Sequence, residues 1–355
     1  MPAPAPVDTE QLVCLIKQWG MELGFQQIGI SDTGLHQAED HLQNWLDRDF
    51  HGDMQYMAAH GLKRSRPALL QEGTRSIISA RMDYLPEPSA RSHSLLADPA
   101  AAFVSRYALG RDYHKILRNR LQKLADQIAT AIGPFGYRAF VDSAPVLEKA
   151  IAEKAGLGWI GKHSNLINRR AGSWFFLGEI YTDLELPADQ TASNHCGDCR
   201  ACLDICPTQA IVAPYQVDAR RCVSYLTIEL HGPIPEDLRP LIGNRIYGCD
   251  DCQLVCPWNR FAKLSAEVDF RPRQRLDSAT LLELFAWGEA EFLQKTEGSA
   301  IRRIGHQRWL RNIATALGNG RPAPEVLAAL NRRLHDASDL VAEHVRWALS
   351  RLTGA

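Results

Sequence analysis

The sequence contains no long hydrophobic run and no recognisable export signal. Apolar residues make up 45% of its 355 positions, yet they never form eighteen in a row, and the first ten residues lack a basic stretch followed by an apolar one. A membrane-spanning helix needs about 20 consecutive apolar residues, and a secretory signal needs both of those segments. We therefore expect a protein without a membrane anchor that stays in the cytoplasm.

Several common catalytic motifs are also missing. No Walker A, HExxH or GxSxG pattern occurs, which argues against P-loop nucleotide hydrolysis, zincin-type proteolysis and the α/β-hydrolase mechanism. Residues 156–161 match GxGxxG formally, but that fingerprint must leave a strand and open a helix. Here the residues before Gly156 have a helical pattern and those after Gly161 look extended. The sequence favours a helix C-cap at Gly156 over a nicotinamide site, although the following loop can still present backbone amides to a cofactor.

The chain has little net charge, but the charge is unevenly distributed. The formal net charge is −1, while residues 301–355 contain nine arginines and four acidic residues and carry +5. A basic tail on a near-neutral chain is a modest indication of a polyanionic partner. The alternative is a solvated helical face with no partner.

Hydrophobic periodicity divides the chain into three parts. Helical and strand patterns alternate in residues 1–185, which predicts an α/β domain. Residues 266–355 are almost entirely helical in pattern and include a helix pair of HEAT type, which cannot bury its apolar face alone and should pack on the preceding domains. Helices are predicted near 9–23, 35–49, 113–132 and 146–155, and strands near 25–30, 76–84, 137–141 and 173–182.

The middle part, residues 186–265, is distinguished by cysteine. Eight of the nine cysteines fall within 61 residues. The first run has the spacing of bacterial ferredoxins, in which three thiolates hold one [4Fe–4S] cluster and the fourth ligates the other cluster. The second run lacks its first cysteine, because Ile246 stands in that place. The two runs are Cys196-x2-Cys199-x2-Cys202-x3-Cys206-Pro and Cys249-x2-Cys252-x3-Cys256-Pro.

Cys222, which lies outside both runs, supplies the missing thiolate, so that each of two clusters has four cysteine ligands. The prediction is two [4Fe–4S] clusters, one held by Cys196, Cys199, Cys202 and Cys256, the other by Cys206, Cys222, Cys249 and Cys252. Zinc is the alternative, but four cysteines within eleven residues crowd a tetrahedral site. Disulfides are disfavoured in a cytoplasmic chain. Cys14, on the apolar side of the first predicted helix, is interpreted as an inert core thiol.

Two clusters form a path for single electrons, so the first domain should hold a redox centre or substrate. Asp142 ends an apolar strand, where ligands usually bind in α/β domains; alternatively, Asp142 or Ser143 caps the next helix. Asp112-Tyr113-His114 departs from the DxHxxG pattern of base-off cobalamin proteins, because Leu117 replaces the glycine. His114 is therefore not predicted to ligate cobalt.

Taken together, these segments resemble the epoxyqueuosine reductase family over nearly the whole chain. The cysteine pattern is shared with many ferredoxins, and its combination with the other segments is much narrower. The segments that carry the resemblance are Lys63–Pro67 (KRSRP), Arg106–His114 (RYALGRDYH), Val141–Pro145 (VDSAP) and Gly158–Lys162 (GWIGK).

The resemblance implies a reaction in which the epoxide oxygen of epoxyqueuosine, at the wobble position of tRNA, is removed to give queuosine and water. It implies base-off cobalamin in the α/β domain, electrons passed from the clusters to cobalt, and Asp142 as proton donor, with a pKa that burial beside the corrin is expected to raise. The basic tail would then bind the anticodon stem-loop. Further cofactor and pocket residues on this reading are Arg66, Arg106, Tyr107, Lys162, His163 and Ser164.

The partners implied are this tRNA and a low-potential donor such as a flavodoxin or ferredoxin, with the protein a monomer. Two other readings stay open at this point. One is a relative of the cobalamin-dependent reductive dehalogenases with another substrate, although such secreted enzymes usually carry an export signal. The other is a non-catalytic electron carrier or RNA-binding module, which leaves Asp142 and the first domain unexplained.

Overall fold

The computed structural model describes residues 8–336 and 338–354. Its helices are α1 (Thr9–Glu22), α2 (His36–Asp47), α3 (Pro67–Leu70), α4 (Ser89–Ala97), α5 (Tyr113–Ile132), α6 (Glu148–Lys154), α7 (Ala201–Ile205), α8 (Val223–Ile228), α9 (Arg239–Ile242), α10 (Asp251–Leu254), α11 (Leu281–Phe285), α12 (Glu289–Lys295), α13 (Gly305–Gly318), α14 (Pro324–Asp336) and α15 (Asp339–Thr353). Its strands are β1 (Gln27–Ser31), β2 (Ser76–Asp83), β3 (Phe103–Val104), β4 (Tyr137–Val141), β5 (Trp159–Ile160), β6 (Leu166–Ile167), β7 (Phe175–Thr182), β8 (Ile211–Ala213), β9 (Gln216–Val217) and β10 (Arg245–Tyr247). Each helix and strand predicted in the first 185 residues is confirmed, with ends shifted by a few residues.

A four-stranded sheet in the order β1-β2-β7-β4 forms the centre of the first part. All three strand pairs are antiparallel. The mixture of helix and strand is as predicted, but the alternation along the sequence did not predict the pairing. Strand β7 is the last of the four in sequence and lies between β2 and β4, so sequence neighbours are not all sheet neighbours.

The two faces of this sheet are covered by different helices. Every residue of β2 and β7 is buried, because both strands lie inside the sheet with helices on either side. Ile78 and Ile180 face the core formed with α1 and α5, whereas Ile77 and Tyr181 face α6. Since side chains alternate along a strand, Glu179 of β7 lies on the α6 face.

A second core joins the C-terminal helices to a segment from the first part of the chain. Helix α13 is buried along most of its length and packs against α11, α15 and β10. Residues 102–109 contribute Ala102, Val104 and Leu109 to the same core, and β3 pairs in parallel with β10. The predicted boundary at residue 185 therefore separates segments that pack together.

Two sequence-based interpretations can be compared directly with the structure. Gly156 follows the end of α6 with φ of +73°, and β5 and β6 then form an antiparallel hairpin, which confirms the C-cap and the absence of a strand–loop–helix fingerprint. The core interpretation of Cys14 is wrong, because its side chain is exposed. The buried positions of α1 are Leu12, Val13, Ile16 and Gly20, and position 14 points away from them.

No helix in the described part of the chain is both long and apolar enough to cross a membrane.

Candidate active site between the sheet and the cysteine loops

A cavity lies where the sheet meets the cysteine-bearing loops, and we call it the main cavity. Its volume is about 510 Å³, within the range of small-molecule and cofactor sites. One side carries Asp142 and aromatic residues of the first part, another carries cysteines, and Arg303 of the C-terminal part reaches the same space. All three predicted parts of the chain thus contribute to one cavity.

The eight clustered cysteines separate into two groups. Those facing the main cavity are Cys206, Cys222, Cys249 and Cys252. Those around a smaller neighbouring cavity of about 100 Å³ are Cys196, Cys199, Cys202 and Cys256. The groups have the same members as the two ligand sets predicted from the spacing, and their role as cluster ligands stays a prediction.

The two groups are close to each other but differ in their access to solvent. Burial raises the pKa of Cys252, and the nearby thiols Cys222 and Cys202, one from each group, raise it further. Cys199 of the smaller cavity is exposed. The smaller cavity is therefore the more accessible of the two cysteine sites.

Backbone and side-chain hydrogen bonds fix the cysteine loops. The backbone N–H of Ala210 donates to the Cys206 sulfur at 3.2 Å. Lys162, predicted as a cofactor residue, donates from Nζ to the carbonyl oxygens of Gly197 and Cys199 at 2.5 and 2.9 Å. It lines the smaller cavity, so its observed contacts hold the loop around the first cysteine group.

Asp142 lies at the end of β4 and takes part in a chain of hydrogen bonds. His114 Nε2 contacts one carboxylate oxygen of Asp142 and the Tyr113 hydroxyl donates to the other. His114 Nδ1 lies 2.5 Å from Asp112 Oδ1. Helix α6 begins after Leu147 without a side-chain cap, so Asp142 is not used as a helix cap. Its side chain is 38% exposed because it faces the cavity.

The hydrogen bonds between His114 and Asp142 set the protonation states of these two residues. Burial lowers the pKa of His114, but its hydrogen bonds to Asp112 and Asp142 outweigh burial and raise it to about 9. Burial raises the pKa of Asp142, yet the hydrogen bonds from His114 and Tyr113 and the charge of His114 bring it below its ordinary value. In this geometry the pair holds its proton on His114, and the rise in the pKa of Asp142 that burial beside a corrin is expected to cause stays a prediction.

Two further carboxyl groups lie on the α6 side of the site. Glu148, the first residue of α6, lines the main cavity, and burial together with the charge of Asp142 raises its pKa to about 7. Glu179 in β7 is 0% exposed, and neither carboxyl oxygen has a hydrogen-bond partner among the described residues. Burial raises the pKa of Glu179 well above its usual range, with Glu148 and Asp142 adding to the shift.

Two features of the main cavity bear on whether the corrin implied by the resemblance fits there. They are an aromatic wall and a hydrogen-bond donor without a partner among the described residues. The Tyr113 and Phe176 rings stack at 3.8 Å between centroids, and Tyr84 packs on Phe176 at 4.5 Å, so this side of the cavity is aromatic and mostly apolar. Burial holds the pKa of His163 at about 4. Its Nδ1 accepts the Asn165 N–H at 3.1 Å, which leaves the proton on Nε2, an atom with no hydrogen-bond partner among the residues that the structure describes. These residues fit a large flat group that carries amide oxygens.

The structure does not bring all predicted pocket residues to this cavity. Tyr107, Asp142 and His163 line it. Arg66 is exposed and pairs with Glu39 at 2.9 Å. The Arg106 side chain is buried, where it pairs with Glu87 at 2.6 Å.

Ser164 is also absent from the described lining of the cavity. It adopts a positive φ of +65°, and its carbonyl oxygen accepts from Lys149. Ser164, like Arg66 and Arg106, thus has a structural contact that accounts for its position.

Sequence reasoning missed several residues of the site. Tyr113 and His114 belong to a segment that carries the family resemblance, but they precede Asp142 by almost 30 positions and their contact with it was not predicted. Glu148 and Glu179 looked like ordinary residues of a helix and a strand. Arg303 is one of nine similar arginines in the tail, of which Arg311 is fully buried and donates to backbone carbonyls of the cysteine part.

Two family models match the chain. "Epoxyqueuosine reductase QueG, DUF1730" matches residues 64–143, and "4Fe-4S double cluster binding domain" matches residues 195–259. The second match supports two [4Fe–4S] clusters in the region of the two cysteine groups.

Curated relatives resemble the chain over almost its full length. An epoxyqueuosine reductase from Pseudomonas aeruginosa is 62% identical over 98% of this chain and 96% of its own length. One from Salmonella typhimurium is 60% identical over 98% of this chain and 90% of its own. One from Escherichia coli K12 is 59% identical over 98% and 91%.

Solved structures resemble the chain as well. A crystal structure of epoxyqueuosine reductase with an epoxyqueuosine-modified tRNA-Tyr stem loop has a TM-score of 0.88 at 27% identity and covers 97% of this chain and 91% of that one. A structure of the Bacillus subtilis enzyme, with its catalytic aspartate loop swung out of the active site, has a TM-score of 0.87 at 26% identity and the same two coverages.

Proposed function

The chain belongs to the epoxyqueuosine reductase family, and from that premise we propose that it removes the epoxide oxygen of epoxyqueuosine in tRNA, yielding queuosine and water. The observation that carries this proposal is the main cavity, where Asp142 and one group of four cysteines face the same space. A proton donor and an electron outlet on one cavity are what a reductive removal of oxygen requires.

Asp142 and its neighbours handle the proton in this proposal. The His114–Asp142 pair holds one proton between two groups, and Tyr113 fixes the second carboxylate oxygen. When the epoxide oxygen binds beside Asp142, the pair can release its proton to that oxygen as negative charge develops there. The loop that carries Asp142 in this chain is proposed to move as in the Bacillus subtilis enzyme, which would admit the base.

Cobalamin, when bound in the main cavity, supplies low-potential electrons to the carbon–oxygen bond. The aromatic wall and His163 would hold it there through apolar contact and a hydrogen bond to an amide oxygen. The two clusters, with the cysteine ligands predicted from the spacing, would carry electrons from the smaller cavity to this site.

The proposed domains of the chain are residues 1–185, 186–265 and 266–355, with a HEAT-like helix pair in the last. We also propose that the protein is a monomer in the cytoplasm.

The proposal is tested by anaerobic incubation of the reconstituted protein with cobalamin, a low-potential reductant and tRNA that contains epoxyqueuosine, followed by nucleoside mass spectrometry. We expect a nucleoside lighter by one oxygen, formed only when cobalamin is present. A protein that holds both clusters and cobalamin but leaves epoxyqueuosine unchanged would contradict the proposal.

Arg303 is proposed to contact the substrate nucleotide at the cavity. Its side chain is 51% exposed, lines the main cavity and pairs with Glu229. Proximity of Glu229 raises the pKa of Arg303 despite partial burial, so the guanidinium keeps its charge and can bind a phosphate oxygen.

Replacing Arg303 with glutamine should weaken binding of the tRNA stem-loop. Loss of a charged hydrogen bond is worth about 1.5–3 kcal/mol, and Glu229 is left unpaired beside the phosphate, so we expect Kd to rise roughly 10- to 100-fold. The measurement is a titration of labelled stem-loop. Arg302→Gln is the matched control, because Arg302 is exposed, donates to the Leu293 carbonyl and does not line the cavity. Equal effects of the two changes would contradict a specific contact.

The loops around the smaller cavity form a basic surface, which we propose as the docking site of an acidic one-electron carrier. Residues 162–170, 195–205 and 257–264 contribute two carboxylates, Asp198 and Asp204. Exposed Cys199 places the first cysteine group at this surface. The cations of the three loops are Lys162, Arg169, Arg170, Arg200, Arg260 and Lys263.

Reversing two of these charges, Arg169→Glu with Arg170→Glu, should slow reduction of the clusters by a flavodoxin. Electrostatic steering raises association rates by at least 10-fold in such pairs, so a loss of about that size is expected at low salt, with a weaker dependence on salt. Stopped-flow absorbance gives the rate. The control variant carries Arg118→Glu and Lys123→Glu on the exposed face of α5. Reduction by dithionite should not change, and an equal loss with dithionite would refute the docking role.

A further inference from the structure

Removal of the epoxide oxygen as water needs two protons, and the mechanism so far supplies one. The balance is epoxide plus two electrons plus two protons giving an alkene and water, and both protons end on the same oxygen atom. The electrons arrive through the clusters from the reductant. Asp142 can give only one proton before it must be protonated again, at a site that the bound tRNA covers. The inference below rests on the proposed function and asks where the second proton comes from.

Glu179 is difficult to explain as a structural residue. It lies inside the sheet on β7, opposite Ser79 of β2 and Phe140 of β4. It is fully buried, and neither of its oxygens has a hydrogen-bond partner in the part of the chain that the structure describes. An unpaired carboxylate in such a place is unfavourable by several kcal/mol or more, so the side chain is present as the neutral acid. Glu179 therefore carries a proton in the core of the protein.

Glu148 lies between this buried acid and the cavity. It is the first residue of α6 and lines the main cavity, and α6 packs on the face of β7 that carries Glu179. Asp142, in the turn after β4, bonds to Tyr113 and His114 of α5 and lines the same cavity. Glu148 and Asp142 thus face one cavity, and Glu179 lies in the core on the sheet face that α6 covers.

We propose that Glu148 is the proton reserve for Asp142 and that Glu179 stays protonated in the core beneath it. After Asp142 has given its proton to the substrate oxygen, Glu148 transfers its own proton to the Asp142 carboxylate. Asp142 then protonates the same oxygen a second time, and water leaves. Solvent restores the reserve after the tRNA dissociates.

The charges around Glu148 suit this role. Burial and the charge of Asp142, in the turn after β4, favour its protonated form, whereas Lys149 on α6 and His114 on α5 oppose it. Glu179 of β7 is a neutral acid and adds no charge. The pKa of Glu148 is about 7 as a result. Glu148 is protonated below that pH, so it can supply a proton in acid and loses it as the pH rises through 7.

The test is single-turnover conversion of the epoxyqueuosine stem-loop by pre-reduced holoenzyme across a range of pH. In the wild type, the rate should fall as pH rises through about 7. In Glu148→Gln the rate should be at least 10-fold lower at pH 6, and this pH dependence should disappear. Glu185→Gln, an exposed position just beyond β7 whose side chain is 77% accessible, is the matched control and should behave as wild type. Wild-type rate and pH profile in Glu148→Gln would overturn the proposal, whereas failure of the wild type itself would count against the proposed function instead.

A second measurement does not depend on turnover. Infrared spectroscopy of the holoenzyme should show a carbonyl-stretch band of a protonated carboxylic acid at pH 6 that disappears as the pH rises to 8, and Glu148→Gln should remove it. If Glu148→Gln keeps this titrating band, Glu148 is not the reserve.

Discussion

The Asp142→Asn variant is expected to lose at least about 100-fold in the rate of epoxide-oxygen removal, the lower end of what general acids contribute. The amide cannot supply a proton, yet it has the size of the carboxyl group and can still contact Tyr113 and His114. Binding of cobalamin and tRNA should therefore remain. Anaerobic turnover followed by nucleoside mass spectrometry measures the loss.

The control for this variant is Ser143→Ala in the same exposed turn. Cluster absorbance and stem-loop affinity should match wild type in both proteins. If Asp142→Asn were to retain activity within a few-fold of wild type, Asp142 would not be the proton donor, and Glu148 would be the next residue to examine on the same cavity.

The Cys222→Ser variant is expected to lose one cluster and essentially all turnover. Cys222 lies outside both cysteine runs but faces the main cavity with Cys206, Cys249 and Cys252. Removal of one thiolate leaves that cluster with three protein ligands and interrupts the only proposed electron path to the cavity. Iron content should fall to roughly half, with the signal of the other cluster retained.

Cys14→Ser is the matched control, since Cys14 is exposed on α1 and belongs to neither cysteine group. It should keep full iron content and activity. Full iron content in Cys222→Ser would show that another residue completes the second ligand set.

The grouping of the cysteines illustrates what local sequence can predict. Ligands within a run are separated by two or three residues, so the loop geometry that brings them together is encoded in the spacing itself. Cys222 followed from counting, because a cluster with three thiolates needed a fourth. The strands of the first part were also predictable, since buried β-branched and aromatic runs are local patterns.

The carboxyl groups of the site show where such reasoning ends. Glu179 lies in a strand that the sequence places correctly, but its environment depends on β7 lying between β2 and β4, which is a matter of long-range pairing. The hydrogen bonds that lower the pKa of Asp142 were not predictable, because His114 and Tyr113 belong to a helix almost 30 residues earlier in the chain. Arg303 reaches the cavity only because the C-terminal helices fold back against residues 102–109.

This return of the C-terminal helices has a consequence for how the protein is made. A ribosome releases residues 102–109 and β3 long before it releases β10 and α13, against which they pack. Val104 and Leu109 therefore stay exposed to solvent until nearly the whole polypeptide has emerged. The cysteine loops are synthesised during this interval, so iron–sulfur insertion and the closing of the fold compete in time. If cluster delivery is delayed, the fold closes around cysteines that hold no cluster. The yield of active enzyme would then depend on whether cluster insertion precedes folding of the C-terminal helices.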